Sequence, residues 1–346
     1  MFKPKYTITD KLLSQIKQVS SLVVNLNQQR FPDLILMEFE KIARAVSAFA
    51  STSIEGNPLP LTEVKKILKS KPEYIRNSEQ EVLNYNQALI DLNKKLESSK
   101  IQLSSKLILK IHEQVTQNLL PKHQSGRLRQ EPVIVNDPKT KKVIFLPPDA
   151  KDVEKLVKEL IEFVKKNQAT IDPLIIAGIF HKQMVVIHPF IDGNGRTTRL
   201  TTKLLLAKLG LNTFNLFSFE NYYNQDVARY FITIGEQGDY YDLEKNIDFT
   251  AWLEYFTEGI IDELLRIEKL LPNIGSSPDT QLKPFHQKIL KYIEKNNFIT
   301  DKDYAKLVER AKATRALDFR KLLGLGLISR KGKGKSTYYT LKEIKK

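Results

Sequence analysis

Apolar residues at the spacing of one helix face recur through most of the chain up to residue 270. Apolar positions three and four residues apart predict helices that bury one side against a core. Two such sets are Ile35, Phe39, Ile42, Ala43 and Val46, and Leu156, Leu160, Phe163 and Val164. The sequence therefore predicts a mainly α-helical body.

One stretch, 132–149, departs from this pattern. Its sequence, PVIVNDPKTKKVIFLPPD, contains two runs rich in β-branched and aromatic residues. Asn136, Asp137 and Pro138 lie between the runs and are typical of a turn. We expect a β-hairpin here.

The positive charge of the chain is concentrated at its C-terminal end. The whole chain carries a formal charge of +15, and residues 283–346 hold 14 lysines and 4 arginines against 6 acidic residues, an excess of 12. The segment before them, 271–283, is rich in Pro, Gly and Ser and lacks helical periodicity, as a linker would. The sequence thus predicts a separate basic unit at 284–346.

The cellular setting is narrowed by what the sequence lacks. It has no cysteine, which excludes disulfides and cysteine-bound zinc and suits a reducing compartment. The first residues, MFKPKYTITDK, contain no apolar run of signal-peptide length, and no other run is long and apolar enough to span a bilayer. We expect a cytoplasmic protein without a membrane partner.

The stretch HPFIDGNGRTTR, residues 188–199, brings several reactive side chains together. Residues 171–187 predict a buried helix that ends near Pro189, and a second helix is expected to begin near Arg196 and to stop at Gly210. The loop between them would lead into a helix N-terminus, where free N–H groups attract anions. Gly193 and Gly195 permit close approach of the main chain to phosphate oxygens. Arg196 and Arg199, one turn apart, are suited to contact successive phosphates.

Two further residues of this stretch supply chemistry. Asp192 is an oxygen ligand of the kind that Mg²⁺ accepts beside phosphates and water. His188 is suited to act as a general base near neutral pH. Either residue alone would more often belong to an ordinary turn, but the combination predicts attack on a phosphoanhydride.

The same residues resemble the signature of the Fic family, HPFx(D/E)GNGRxxR, at every specified position. The resemblance implies a helical core at 101–270, a β-hairpin flap at 132–149 that holds the target segment by strand addition, and transfer of AMP from ATP to a target hydroxyl. Gly195 favours AMP transfer, because relatives that transfer phosphate carry lysine there. The implied roles are His188 as base, Asp192 as Mg²⁺ ligand, Gly193, Asn194 and Gly195 as anion hole, Arg196 as β-phosphate contact and Arg199 as γ-phosphate contact.

A second short motif, STSIEGNP, lies in the N-terminal helical region, 1–100. Read from its residues alone it is a helix end, with Gly56 and Pro58 as stop signals and Glu55 placed unfavourably for the helix dipole. Ser51-x-x-x-Glu55-Gly56 is similar to the Fic inhibitory motif, (S/T)xxxE(G/N). The resemblance implies that Glu55 pairs with Arg199, displaces the γ-phosphate and inhibits the enzyme. It also implies that the glutamate can assist water in removing AMP.

The basic unit, 284–346, reads as three helices followed by a hairpin, and resembles a winged helix-turn-helix. Its cations are suited to contact the phosphates of DNA, while a solvated basic face or a protein-docking module would carry the same residues. The candidate contacts are Arg315, Arg320 and Lys321 on the third helix and Lys331, Lys333 and Lys335 in the wing.

Two functions of different class follow from these observations. The favoured one is a self-inhibited protein adenylyltransferase that uses ATP and Mg²⁺ and acts on a Tyr, Ser or Thr hydroxyl of a target protein. The chain itself is a further candidate target, and a homodimer is a candidate assembly. The alternative is a DNA-binding regulator whose Fic core senses a nucleotide without transferring it. The intact His188, Asp192 and Arg199 favour catalysis.

Overall fold

The computed structural model describes residues 2–28, 33–97, 102–137, 140, 142–207, 210, 215–270, 282–325 and 327–341. The predicted linker, 271–283, lies outside the described residues over 271–281. The described residues form two compact units, one of Met1–Asn27 with Glu40–Lys269 and one of Gln28–Phe39 with Leu270–Lys346.

The part of the chain before residue 271 is mainly helical, as the apolar spacing predicts. Its described helices are α1 (Asp10–Gln28), α2 (Asp33–Ile54), α3 (Leu61–Lys69), α4 (Asn77–Glu97), α5 (Ser105–Val115), α6 (Ala150–Asn167), α7 (Pro173–Ile187), α8 (Asn194–Leu206), α9 (Glu220–Gln225), α10 (Val227–Ile234), α11 (Tyr240–Leu243) and α12 (Thr250–Leu270).

Helix α7 lies in the middle of this unit and is buried on nearly all sides. Its apolar sequence, PLIIAGIFHKQMVVI, explains why the helix needs no solvent face. Asp172 caps its start by accepting a hydrogen bond from the N–H of Leu174 at 2.8 Å. Trp252 of α12 packs against it with no exposed surface and donates its indole N–H to the Gly178 carbonyl at 2.8 Å.

The predicted hairpin is present as β1 (Val135–Asn136) and β2 (Val143–Leu146), which pair antiparallel. A third strand, β3 (Gly238–Asp239), pairs with β2 in parallel, so the sheet order is β1-β2-β3. The hairpin is therefore attached along one edge and leaves β1 at the other edge. The name flap is kept for residues 132–149.

The second unit contains α13 (Pro284–Asn296), α14 (Asp301–Leu307), α15 (Lys312–Gly324), β4 (Ile328–Lys331) and β5 (Tyr338–Leu341). The strands pair antiparallel, so the three helices and the hairpin that the sequence predicts are present. The identification of this unit as a winged helix-turn-helix stays a prediction. The unit has an apolar core of its own, formed by Ile289, Leu290, Ile293, Ile299, Tyr304, Phe319, Leu322 and Ile328.

None of the helices in the described ranges combines the length and the apolar composition that crossing a bilayer requires.

Candidate active site

The loop 188–193 connects the buried helix α7 to helix α8. Helix α7 ends at Ile187, and His188 takes a left-handed conformation with φ 50°, which reverses the chain before Pro189. Helix α8 begins at Asn194, two residues earlier than predicted, after Gly193 with φ 76°. A left-handed φ at Gly193 favours glycine, and a Cβ there would also come within 2.9 Å of Thr116.

The loop is closed by a reciprocal pair of hydrogen bonds between Phe190 and Asn194. The N–H of Phe190 donates to Asn194 Oδ1 at 2.9 Å, and Asn194 Nδ2 donates to the Phe190 carbonyl at 2.8 Å. Phe190 is fully buried, so its ring anchors the loop. Asn194 thus shapes the loop with its side chain, and its N–H belongs to the first turn of α8, where N–H groups lack partners within the helix.

His112 of α5 supports the other end of the loop. Its Nε2 donates to the Asp192 carbonyl at 2.9 Å, and its Nδ1 accepts from the N–H of Gly126 at 2.9 Å. The imidazole also stacks on Phe190, with ring centroids 3.8 Å apart. Burial lowers the pKa of His112 to about 4, against the opposing effect of the Asp192 carbonyl. The neutral ring, protonated on Nε2, matches both of these hydrogen-bond partners.

His188 is held in a form suited to a base. Its Nδ1 faces the Val185 carbonyl at 3.3 Å, and a carbonyl can only accept, so Nδ1 carries the proton and Nε2 has a free lone pair. Burial lowers the pKa of His188 below its ordinary 6.5, against the opposing effects of the Val185 carbonyl and the Glu55 charge. The imidazole is therefore neutral at pH 7.

Asp192 and Arg196 form an ion pair at the start of α8. Arg196 Nη2 lies 2.8 Å from Asp192 Oδ2, and Arg196 Nη1 lies 2.9 Å from Glu81 Oε1. The side chain of Arg196 is 1% exposed, whereas that of Asp192 is 52% exposed. Arg196, one of the two arginines predicted to contact phosphate, is therefore directed to two carboxylates in this structure.

Arg199 contacts both predicted residues of the inhibitory motif. Its Nε donates to Ser51 Oγ at 2.8 Å, and its Nη2 donates to the Ser51 carbonyl at 2.8 Å and to Glu55 Oε1 at 2.7 Å. Helix α2 ends at Ile54, and Gly56, with φ 93°, turns the chain away so that Glu55 projects toward α8. Burial alone would lower the pKa of Arg199, but the Glu55 charge raises it above its ordinary value.

One donor of Arg199 remains unused. Its Nη1 is buried and has no hydrogen-bond partner, although a buried guanidinium N–H normally has one. Gly195 lies beside it, since a Cβ on Gly195 would come within 2.8 Å of Nη1. An unpaired cationic donor next to the first turn of α8 is an arrangement suited to an anion.

One cleft lies at this end of α8. Its lining includes all the predicted site residues of the 188–199 stretch except Arg196. Within the described ranges, no group of three or more His, Cys, Asp or Glu side chains is placed to hold a metal by itself. The cleft is lined by Glu55, Val185, His188, Ile191, Asp192, Gly193, Asn194, Gly195, Arg199, Tyr230, Phe231 and Ile234.

The model of the Fic/DOC family matches residues 102–206, which include α5, the flap, α6, α7, the loop and all of α8. The chain contains a Fic domain. Outside the matched range lies Glu55, which reaches the site from α2.

Known proteins resemble the chain well beyond the Fic domain. "Protein adenylyltransferase Fic" of Nematostella vectensis is 28% identical over 242 residues, which is 69% of this chain and 52% of that protein. "Protein adenylyltransferase fic-1" of Caenorhabditis elegans is 33% identical over 167 residues, 47% of this chain and 31% of that protein. The chain thus spans about half of these curated relatives or less. A crystal structure of a Fic family protein from Desulfovibrio desulfuricans G20 superposes over 100% of both chains with a TM-score of 0.67 at 19% identity, and this likeness concerns the fold.

Three residues support the site although the sequence pattern does not predict a role for them. The spacing of His112 to the other histidines fits no metal site. Glu81 has the sequence context of an ordinary surface acid. Arg129 is buried and donates to main-chain carbonyls at both ends of the flap and at His188. Nothing in the local spacing of these residues indicates a site, because each contacts the loop or the first turn of α8 from a distant part of the chain.

The predicted nucleic-acid contacts all lie in the second unit, apart from the Fic domain in sequence. Arg320 and Lys333 are exposed, and Lys321 is partly exposed. Arg315 is instead held by Asp301, whose two oxygens lie 2.8 and 2.9 Å from its guanidinium, and it also donates to the Arg310 carbonyl. Arg315 therefore has little capacity left for a phosphate. The side chain of Lys335 lies outside the described residues.

Proposed function

We propose that the Fic domain transfers AMP from ATP to a Tyr, Ser or Thr hydroxyl of a target protein, and that Glu55 inhibits this transfer. The observation that carries the proposal is the state of Arg199. One of its nitrogens is bound to Glu55 at 2.7 Å, and another is buried beside the α8 N-terminus without a partner. The relatives named protein adenylyltransferase support the same reaction.

Each residue of the cleft has a separate role in the proposed AMP transfer. Nε2 of His188 takes the proton of the target hydroxyl, and the hydroxyl oxygen bonds to the α-phosphorus. The bond from that phosphorus to its bridging oxygen breaks, and pyrophosphate leaves. The N–H groups of the first turn of α8 and the guanidinium of Arg199 stabilise the negative charge of the phosphates. Gly193 and Gly195 leave room for this contact, and we retain Arg196 as a β-phosphate contact that would form once it releases a carboxylate.

Asp192 fits the role of a Mg²⁺ ligand. Its side chain is half exposed and lines the cleft, and the hydrogen bond from Arg196 goes to Oδ2. Oδ1 would therefore be the oxygen that binds Mg²⁺, with substrate phosphates and water completing the coordination. Bound Mg²⁺ would neutralise part of the phosphate charge. A single carboxylate suits Mg²⁺ held together with a nucleotide better than a permanently bound ion.

Inhibition follows from competition for one guanidinium. A planar guanidinium that holds a carboxylate through Nη2 and Ser51 through Nε has lost the geometry for a γ-phosphate. ATP would then bind with its phosphates displaced from His188. The same glutamate would activate water for removal of AMP. The cytoplasm as location and a homodimer as assembly stay predictions.

Labelled ATP tests the reaction directly. The Glu55→Gly chain is incubated with ATP labelled at the α-phosphate or at the γ-phosphate, with Mg²⁺ and a cell extract as the source of targets. Because kinases of the extract transfer γ-phosphate by themselves, labelling is compared with that of the chain that also carries His188→Ala. We expect excess protein-bound label from the α-position and no excess from the γ-position. Excess γ-label would show phosphate transfer by this domain, and no excess from either position would refute group transfer by it.

A second activity, binding of duplex DNA, is favoured by the surface of the second unit. The exposed positions on α15 include Lys312, Ala313, Ala316, Leu317 and Arg320, and its one acidic residue, Asp318, is buried. Arg330, Lys331 and Lys333 of the hairpin are exposed as well. A helix face that combines small side chains with cations and lacks exposed carboxylates fits a DNA groove and its phosphates.

Salt dependence tests this second activity in the full chain. Binding to a labelled duplex is expected to weaken steeply as salt rises, and Arg320→Gln, Lys321→Gln and Lys333→Gln are each expected to reduce the slope by roughly 0.9. Lys291→Gln, on the exposed side of α13, serves as the control. Absence of binding even at low salt would favour a protein-docking module.

A further inference from the structure

Arg129 is a buried cation whose bonding differs from that of the other arginines at the site. It is 4% exposed, and within the described residues its guanidinium bonds only to main-chain carbonyl oxygens. Burying a guanidinium that makes no hydrogen bond to a carboxylate is costly, and burial lowers the pKa of Arg129 from its ordinary value against the opposing charge of Asp149. A side chain kept there at such a cost calls for a specific role.

The carbonyls that Arg129 contacts belong to two separate parts of the Fic domain. Two of them end helix α7, with Nε 2.8 Å from the His188 oxygen and Nη2 3.4 Å from the Ile187 oxygen. The other two lie at the two ends of the flap, with Nη1 3.1 Å from the oxygen of Glu131, which directly precedes the flap, and Nη2 2.5 Å from the oxygen of Pro148, its next-to-last residue. The guanidinium thus joins the end of α7 to both ends of the flap.

Both parts need this support for a physical reason. The last carbonyls of a helix lack partners within it and carry partial negative charge, and His188 stands in a left-handed conformation that costs about 1 kcal/mol or more. The flap strands are short, with two and four residues, and so short a hairpin is only marginally stable on its own. The main-chain N–H of Arg129 adds a bond to the Pro189 oxygen at 3.0 Å.

We propose that Arg129 is a positioning residue that fixes His188 relative to the flap, so that a target segment docked on the flap presents its hydroxyl to Nε2. The proposal rests on the proposed function, because it assigns the flap to the target. In this proposal, the side chain of Arg129 sets the distance between the flap, on which the target segment docks, and His188.

The nucleotide side of the loop has a separate support. His112 holds the Asp192 carbonyl and stacks on Phe190, and Ser51 and Glu55 hold Arg199. None of these contacts passes through Arg129. Loss of the Arg129 fork is therefore expected to loosen the flap and His188 together and to leave the phosphate side in place.

The first test compares Arg129→Lys and Arg129→Gln in the full chain. Lysine keeps the charge but has a single nitrogen, which cannot bridge four carbonyls. Amide hydrogen exchange, followed by mass spectrometry, is expected to accelerate at least tenfold over 132–149 and over 185–190, with 192–200 unchanged. Arg127→Lys and Arg127→Gln are the matched controls, because Arg127 is exposed two residues away. Acceleration in the flap alone, or equally in all three segments, would overturn the proposal.

The second measurement concerns nucleotide binding. In the Glu55→Gly background, the affinity for ATP with Mg²⁺, measured by calorimetry, is expected to change by less than about twofold when Arg129→Lys is added. A residue that only stabilised the whole domain would lower this affinity along with the melting temperature. A large loss of ATP affinity would therefore contradict the positioning role.

A third measurement needs no variant and covers the case in which both Arg129 variants fail to fold. In the unmodified chain, the Nε–H proton of Arg129 is expected to show the same opening free energy as the flap amides, each calculated from its observed rate and the intrinsic rate of its own chemical group, because one opening exposes both. Different opening free energies would overturn the proposal. Exchange does not require activity, so it tests Arg129 even if the labelling experiment refutes AMP transfer.

Discussion

Gly195 and Glu55 occupy adjoining space so closely that no side chain fits at position 195. A Cβ built on Gly195 would overlap Oε1 of Glu55, the oxygen that Arg199 binds. The same glycine belongs to the predicted anion hole. The space beside Gly195 therefore holds the inhibitory carboxylate in this structure and would hold a phosphate when ATP binds productively.

Gly195→Ala is expected to displace Glu55 without activating the enzyme. The added methyl group breaks the contact of Glu55 with Arg199, but it also occupies the space in which a phosphate would meet the N–H groups of α8. In the Glu55→Gly background we expect Gly195→Ala to lower α-label transfer at least tenfold. Gly324→Ala, at a position with open space, is the control, and an unchanged rate for Gly195→Ala would argue against the anion hole.

Glu55→Gly by itself is expected to increase labelling from α-labelled ATP. It frees Arg199 for the γ-phosphate and alters none of the proposed catalytic groups. Adding Arg199→Ala is expected to remove most of the gain, because the γ-phosphate then has no partner. The labelling rates of the unmodified chain, both single variants and the double variant form a cycle. If Glu55→Gly labels no faster than the unmodified chain, Glu55 is an ordinary helix end.

The rate of transfer is expected to depend on the charge of His188. Only the neutral imidazole can accept a proton, and burial places its pKa below 6.5, so the neutral fraction rises with pH and levels off near neutrality. With saturating ATP, the rate of the Glu55→Gly chain should rise through the acidic range and level off at a lower pH than it would for an imidazole with the ordinary pKa of about 6.5. His188→Ala should show no transfer at any pH while it still binds ATP. Full transfer by this variant would refute the assignment of the base.

The buried His112 is expected to make stability depend on pH. Its pKa is about 4 in the folded protein and near 6.5 when unfolded, so the unfolded chain takes up the proton first as the pH falls. The contribution of His112 to stability is therefore fully present above pH 6.5 and is lost as the pH falls from 6.5 to 4. This loss lowers the free energy of unfolding by up to about 3 kcal/mol.

Chemical denaturation across that pH range measures the effect. His112→Asn should be less stable at pH 7 but should show a flatter pH dependence than the unmodified chain. His123→Asn, at an exposed position, should keep the full slope. An unchanged slope in His112→Asn would mean that other groups cause the acid sensitivity.

The local features of this protein were predictable from its sequence. The apolar sequence of α7 with Asp172 and Pro173 at its start, the turn signals in 132–149 and the glycines of the GNG stretch each act over a few residues. The helices, the flap and the loop followed from them, with α8 beginning two residues earlier than expected because Gly193, rather than Gly195, provides the left-handed turn.

The contacts between distant segments were decided by the tertiary structure. Glu55 and Arg199 are 144 positions apart, and only the resemblance to the Fic family indicated that they meet. His112 and Arg129 gave no signal, because the groups they hold are main-chain carbonyls, which every residue carries and no sequence pattern marks. The sequence by itself determined which reactive side chains are present and the local structure that displays them. The packing of α2, α5 and the flap around α7 and α8 determined which of those side chains are paired, which donor stays free and what holds the base in place.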